Sequence, residues 1–228
     1  MIQGDWHAII VAGGSGKRME ASIPKQFIQI NEKEILVYTV ERFLTLEPKL
    51  KSIVLVLPLA DIPRWKTIAS RLMISDKRLK VIEGGKERFD SVKNGLDFLS
   101  DETGFVAIHD GVRPFISHKA IASSFASAIE YGSGVVSIPL KDSIRECNQH
   151  ANRAIDRNNY RLIQTPQTFD LKKLKTAFTV HYKDEFTDDA SVYEHAGHTI
   201  ELVDGEYTNI KITTPEDLLL AEAFITNY

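Results

Sequence analysis

An apolar run that stops dead in glycine is the strongest constraint in this chain. Ile9-Ile10-Val11-Ala12 is followed by Gly13-Gly14-Ser15-Gly16, then by Lys17, Arg18 and Pro24-Lys25-Gln26. The run reads as a buried strand. The glycines let backbone N–H groups approach an anion with no side chain in the way. Lys17, Arg18 and Lys25 place positive charge beside that turn. A polyphosphate is the natural guest.

The chain has 228 residues, of which 43% are hydrophobic and 26% charged, within the range of a soluble globular protein. A net charge of −3 draws in neither nucleic acid nor a membrane surface, so the early cations act locally. The single cysteine, Cys147, excludes an internal disulfide framework and a cysteine-based zinc cluster. No apolar run reaches spanning length, and no basic segment followed by a long apolar stretch opens the sequence. One cytoplasmic enzyme domain over 1–228 is the expectation.

Strand and helix patterns alternate along the chain. Strands are expected at Ala8–Ala12, Ser52–Leu57, Lys80–Glu83, Phe105–His109 and Gly134–Ile138. Helices are expected around Leu36–Leu44, Ser91–Leu99 and Lys119–Tyr131. That alternation implies an α/β fold, a Rossmann-like, mostly parallel sheet flanked by helices. Residues 141–163 break the rhythm. They are polar and carry Asp142-Ser143-Ile144-Arg145 and Asp156-Arg157-Asn158-Asn159, which suits a protruding β-arm. Helices return at Leu171–His181 and Asp188–His195, and late strands are expected at Thr199–Val203 and Asn209–Ile212. Thr214-Pro215-Glu216-Asp217 starts a last helix, with Thr214 as N-cap and Asp217 reaching back.

Two phosphate motifs fail on spacing. If Gly16-Lys17 were the glycine-lysine pair of a P-loop, its first glycine would fall on Val11, and Arg18 would stand where serine or threonine is needed. A dinucleotide fingerprint would need glycine or alanine at Met19. What remains is Ala-Gly-Gly-x-Gly-x-Arg-Met and then Pro-Lys-Gln. With this loop the chain resembles nucleotidyltransferases that activate sugar and polyol phosphates. Gly84-Gly85-Lys86-Glu87-Arg88-Phe89-Asp90-Ser91, His109-Asp110-Gly111-Val112-Arg113-Pro114, Gln164-Thr165-Pro166-Gln167-Thr168-Phe169, Thr187-Asp188-Asp189-Ala190-Ser191 and Asn209-Ile210-Lys211-Ile212-Thr213 extend the likeness in order along the chain. Together they resemble the 2-C-methyl-D-erythritol 4-phosphate cytidylyltransferase family of the non-mevalonate isoprenoid pathway. Ribitol-5-phosphate cytidylyltransferases share most of these motifs, but Asp156-Arg157 and Asp188-Asp189-Ala190-Ser191 favour the erythritol enzymes. The chain departs from the pattern at Lys86, where several relatives are acidic, at Gly111-Val112 and at Ser143.

The resemblance implies transfer of CMP from CTP to a phosphate oxygen of the polyol phosphate, with release of pyrophosphate. It implies that Arg18 and Lys25 stabilise the transition state, and that Lys211 and Arg157 hold the acceptor's phosphate. Arginine suits that task because its planar fork grips phosphate oxygens in pairs. Without the likeness, Arg157 reads as a surface residue and Lys211 as edge protection. Ala12, Gly13, Gly14, Gly85 and Ser91 resemble the CTP cradle, and Ser143 and Thr165 resemble lesser substrate contacts. Asp110 accepts from ribose hydroxyls or sits near the metal; Arg113 pairs with Asp110 or fixes substrate. Lys17 reads as solvated and His109 as a packed strand-end residue, since an ionised phosphate needs no general base. Magnesium is implied by the triphosphate, with no protein ligand assigned. The resemblance also implies a homodimer in which each arm completes the partner's site. A non-catalytic nucleotide-binding module would not need Arg18, Lys25 and Lys211 together, and a hexose-1-phosphate nucleotidyltransferase fits neither the chain's length nor its arm.

Overall fold

A computed structural model describes residues 5–13 and 23–225. Its centre is β1 (Trp6–Val11), buried along its whole length. Side chains alternate across a strand. Ala8 and Ile10 therefore join a core on one face of the sheet, while Ile9 and Val11 join a second core on the other. A strand buried on both faces belongs inside a parallel sheet covered by helices.

The further strands of the sheet are β4 (Ser52–Leu57), β5 (Leu79–Glu83), β6 (Phe105–Asp110), β7 (Ser133–Pro139), β10 (Arg161–Asp170) and β11 (Leu202–Asp204). Their spatial order is β11-β7-β10-β6-β1-β4-β5. All pairs are parallel except those of β10, which runs antiparallel between β6 and β7. A small hairpin, β2 (Gln29–Ile30) with β3 (Lys33–Glu34), leads into helix α1 (Ile35–Leu44). The other helices are α2 (Ile62–Arg71), α3 (Arg88–Phe98), α4 (His118–Tyr131), α5 (Leu171–Ala177), α6 (Asp189–His195) and α7 (Pro215–Ile225). Val37, Val40 and Phe43 of α1, Trp65 of α2 and Phe125 of α4 cover one face; Val92 and Leu96 of α3, Leu174 of α5 and Tyr193 of α6 cover the other.

Several starts follow from capping chemistry. Glu87 and Asp90 form a reciprocal capping box at α3, and Asp188 and Ser191 form another at α6. Asp217 accepts from the N–H groups of Thr213 and Thr214 at 2.7 and 2.9 Å, as expected of the last helix. The arm is a two-stranded hairpin, β8 (Ile144–Cys147) with β9 (Asn152–Ile155), standing outside the main sheet.

Three expectations need correction. The arm does not run to Ile163, because β10 starts at Arg161. The polar stretch Gln164–Thr168 hides this strand: these residues are buried, but each finds polar partners. Gln167 donates to Asp188 at 2.8 Å and accepts from the Ala190 N–H at 2.9 Å; Thr168 pairs with Ser124. Pro166 is tolerated because the register with β7 shifts between Ile163 and Gln167. Second, Asn209–Ile212 is not a strand. Its backbone is spent locally, as Asn209 N–H reaches Glu206 and Ile212 N–H reaches Val112 of the β6–α4 loop. Third, the strand expected at Thr199–Val203 forms over Leu202–Asp204, and the helix from Leu171 ends at Ala177.

His109, the penultimate residue of β6, is fully buried and packs on Phe43. Its Nε2–H donates to the Arg113 carbonyl at 3.1 Å, so Nδ1 is the acceptor of the Thr165 hydroxyl, also at 3.1 Å. Both ring nitrogens are satisfied by the neutral tautomer. Burial pushes the His109 pKa from 6.5 down to about 4. The unfolded chain then binds a proton that the folded protein refuses between those values. Stability should fall as pH is lowered through that window, by at most about 1.4 kcal/mol per pH unit from this group. Urea unfolding at several pH values should show a shallower dependence between pH 6.5 and about 4 for His109→Gln than for the parent. Parallel dependences would show that His109 is not held neutral.

Candidate active site

The C-terminal ends of β6 and β1 and the corner after β5 open onto one cavity of about 250 Å3. Open α/β sheets place ligands at this edge. Ala12 and Gly13 continue β1 into it, and the Ala12 N–H is held by the Val56 carbonyl at 3.0 Å. Lys25 and Gln26 enter from a short 3-10 turn over Lys25–Phe27. Gly85, Lys86, Glu87, Arg88 and Ser91 come from the β5–α3 corner, Asp110 and Val112 from the end of β6, and Lys211 from the segment before α7.

Two glycines make the close approaches possible. A Cβ on Gly85 would lie 2.2 Å from Asp90 Cβ, and one on Gly111 would lie 2.6 Å from Ala12 Cβ. Ser91 sits beneath the Gly85 corner, accepting the Gly85 N–H and donating to the Glu87 carbonyl, both at 3.1 Å.

Asp110 is the electrostatic centre. Its side chain is 8% exposed and meets three cations: Lys211 Nζ at 3.0 Å, Arg113 Nε at 3.3 Å and Arg88 Nε at 3.4 Å. Burial alone would raise its pKa. Arg88, Lys211 and Arg113 outweigh that and hold the carboxyl well below the usual carboxylate range. Arg88 is in turn gripped by the buried Asp189 through two bonds of 2.8 and 2.7 Å. Burial would lower the Arg88 pKa, but Asp189 and Asp110 raise it, so the guanidinium stays charged. Arg113 also donates to the Asn209 carbonyl at 2.9 Å. The Asn209 amide donates to Thr165 O at 3.0 Å and to Gln164 Oε1 at 3.1 Å. These bonds seat Lys211 two residues further on.

The expected site residues therefore divide into groups. Ala12, Gly13, Lys25, Gly85, Ser91, Asp110 and Lys211 converge on the cavity. Arg113 and Thr165 stand behind Asp110; the Thr165 hydroxyl accepts the Asp110 N–H at 3.1 Å. Ser143 and Arg157 lie on the exposed arm and line no part of this cavity; Arg157 donates to the Lys141 carbonyl. Gly14 and Arg18 lie outside the described residues. Sequence reasoning quoted Arg88 and Asp189 within motifs but gave them no role. Their pairing spans 101 positions and leaves no periodic signal; only the unusual run of two aspartates at a helix start pointed to them. Gln26 was also missed: it is buried, anchored to Asp61 at 2.9 Å, and lines the cavity.

This geometry suits a ligand with several negative charges. The family profile described as 2-C-methyl-D-erythritol 4-phosphate cytidylyltransferase matches residues 6–227. A protein of that name from Phocaeicola vulgatus is 42% identical over 219 residues, covering 96% of this chain and 99% of that one. A Bacillus cereus protein of the same name is 37% identical over 220 residues, covering 95% and 96%. The crystal structure of 4-diphosphocytidyl-2C-methyl-D-erythritol synthase from Anaerococcus prevotii superposes with a TM-score of 0.84 at 28% identity, covering 98% of this chain and 96% of that one. The Francisella tularensis cytidylyltransferase structure gives 0.79 at 28% identity, with 96% and 99% covered. With the profile spanning nearly the whole sequence and the cavity built from the motifs that carried the likeness, this chain belongs to the 2-C-methyl-D-erythritol 4-phosphate cytidylyltransferase family.

Proposed function

We propose that this protein transfers CMP from CTP to 2-C-methyl-D-erythritol 4-phosphate, giving 4-diphosphocytidyl-2-C-methyl-D-erythritol and pyrophosphate. The observation that carries this reading is the convergence of Gly13, Lys25, Asp110 and Lys211 on one cavity. An oxygen of the acceptor phosphate attacks the α-phosphorus of CTP. The bond from that phosphorus to the bridging oxygen of pyrophosphate breaks, and the leaving group takes the electron pair. Two anions must meet, so the task is alignment and charge neutralisation. Lys25, with Arg18 from the glycine turn, offsets charge that builds at the α-phosphorus. Lys211 faces the acceptor phosphate. Gly85 and Ser91 form a floor for the cytosine without bulky side chains. No base is required at neutral pH, which agrees with a His109 held neutral behind the wall.

Magnesium fits this donor set in one way. Among the described residues no group of three His, Cys, Asp or Glu side chains converges. Asp110 faces the cavity with both oxygens already among cations, and the Glu87 carboxylate caps α3. A divalent ion would therefore arrive on the triphosphate, held mainly by phosphate and water, with Asp110 as the nearby protein carboxylate. When bound it supplies further neutralisation of the polyphosphate.

Arg157 belongs to a second copy's site in this reading. It does not line the cavity of its own chain, and the base of the arm exposes Tyr160, Leu162 and Ile163, with Leu162 51% exposed. A homodimer with exchanged arms would cover these side chains and deliver the guanidinium.

Pyrophosphate release should be measured with CTP and either methylerythritol phosphate or ribitol 5-phosphate. Turnover with the first acceptor is expected, and turnover with ribitol 5-phosphate alone would overturn the assignment. Lys25→Ala should lower kcat by about a hundred- to a thousandfold, the usual loss when a preorganised transition-state donor is removed. Mixing Lys25→Ala with Arg157→Ala protein, after subunit exchange, should restore part of the activity through hybrid dimers. Demonstrated exchange without recovery would count against the shared site.

A further inference from the structure

We infer that Lys86 is an additional nucleotide-binding residue whose ammonium engages the polyphosphate. The assignment rests on the nucleotide reading of this cavity given above. Lys86 stands on the β5–α3 corner, is exposed, and lines the cavity next to Gly85. Its positive charge is not spent inside the protein: among the described residues it has no ion-pair or hydrogen-bond partner.

The other cations of the described wall differ. Arg88 is committed to Asp189 through its fork and approaches Asp110 through Nε. Lys211 sits 3.0 Å from Asp110. Lys25 also makes an interaction of its own. A nucleoside triphosphate brings about four negative charges at neutral pH, by the same second ionisation near 6 that governs phosphate esters. The wall therefore needs positive charge beyond what Asp110 and Asp189 absorb, and Lys86 supplies it without breaking an internal pair. Glu87, the next residue, stays negatively charged, but its carboxylate is turned to a backbone N–H of the α3 capping box and forms no ion pair with Lys86.

Lysine suits this place. The glycine pair before it leaves the floor bare, and a four-carbon stem lets a point charge follow phosphates that shift as pyrophosphate departs. A base carbonyl would offer the same ammonium a neutral partner only. The phosphates are the stronger attraction, and one that salt weakens, since exposed charges are screened over roughly 8–10 Å at physiological ionic strength.

Calorimetric titration of CTP, inorganic pyrophosphate and CMP into the full-length protein with magnesium tests the assignment. Lys86→Ala should weaken CTP and pyrophosphate by about fivefold at low salt, with the gap closing as salt is raised. Lys86→Glu should weaken both further, and Lys86→Arg should restore most of the affinity. Unchanged pyrophosphate binding in Lys86→Ala would overturn the assignment, whether or not CMP binding drops; weaker CTP and CMP binding with pyrophosphate unchanged would move Lys86 to the base. Parent protein that binds CTP and pyrophosphate but turns over no acceptor would sink the catalytic reading alone. Parent protein that binds neither would sink both.

Discussion

A single buried carboxylate organises this site. Asp110 sits at the end of β6, nearly closed to solvent, and collects cations from three separate parts of the chain: Arg88 at the start of α3, Arg113 in the following loop and Lys211 ahead of α7. Burying one unpaired carboxylate is costly; removing one member of a buried, paired set typically costs about 3–5 kcal/mol. Here the cost is shared among partners that a phosphate ligand also needs. The charge that neutralises the cations in the free protein is the charge that fixes where they point. Any ligand phosphate entering the cavity meets side chains already held in place, so little ordering remains to be done on binding.

The same aspartate ties the site to the sheet. Its backbone N–H donates to Thr165 Oγ1, whose own hydrogen goes to His109 Nδ1. Thr165 lies on β10, the strand that runs antiparallel to its neighbours in the main sheet. Asn209 then bonds the Thr165 carbonyl and carries Lys211. Position in the cavity is thus passed from β6 to β10 and onward to the last segment by neutral hydrogen bonds inside the protein. Only the final contact is ionic. Low dielectric strengthens such a buried network, whose one unsatisfied side-chain atom among the described residues is Asn209 Oδ1.

This explains which parts were legible in the sequence. β1, β4, β6 and α1 announce themselves by apolar period, because local physics decides them. The mostly parallel sheet and its helix layers followed from alternation; the strand order did not. β10 did not, since its buried residues are Gln164, Thr165, Gln167 and Thr168, and polar residues read as surface until their partners are known. Lys211 showed the converse error. The pattern around it mimics a strand, but the backbone bonds of Asn209 and Ile212 are made to loops rather than to a ladder. The lysine still reaches the cavity because a buried Asn209 and a buried Ile212 flank it, while its own side chain is 41% exposed. The Arg88–Asp189 pair was invisible for a simpler reason: nothing local to either residue specifies the other.

The distribution of rigidity suggests how the work is divided. The nucleotide half of the cavity is built on β1, α3 and β6, whose side chains fill both cores and whose strands pair on both edges. The arm has no such support. Its two strands pair only with each other, and its residues are largely exposed. What anchors its base is a set of contacts to the sheet's far side: Arg161 to Asp204 at 2.6 Å, and the Tyr207 hydroxyl to the Pro139 carbonyl at 2.9 Å. A phosphate-gripping residue placed on such an arm gains precision only when something packs against it. Side chains in the nucleotide half are therefore fixed within the sheet and its helices, whereas a side chain on the arm is held only by its own hairpin.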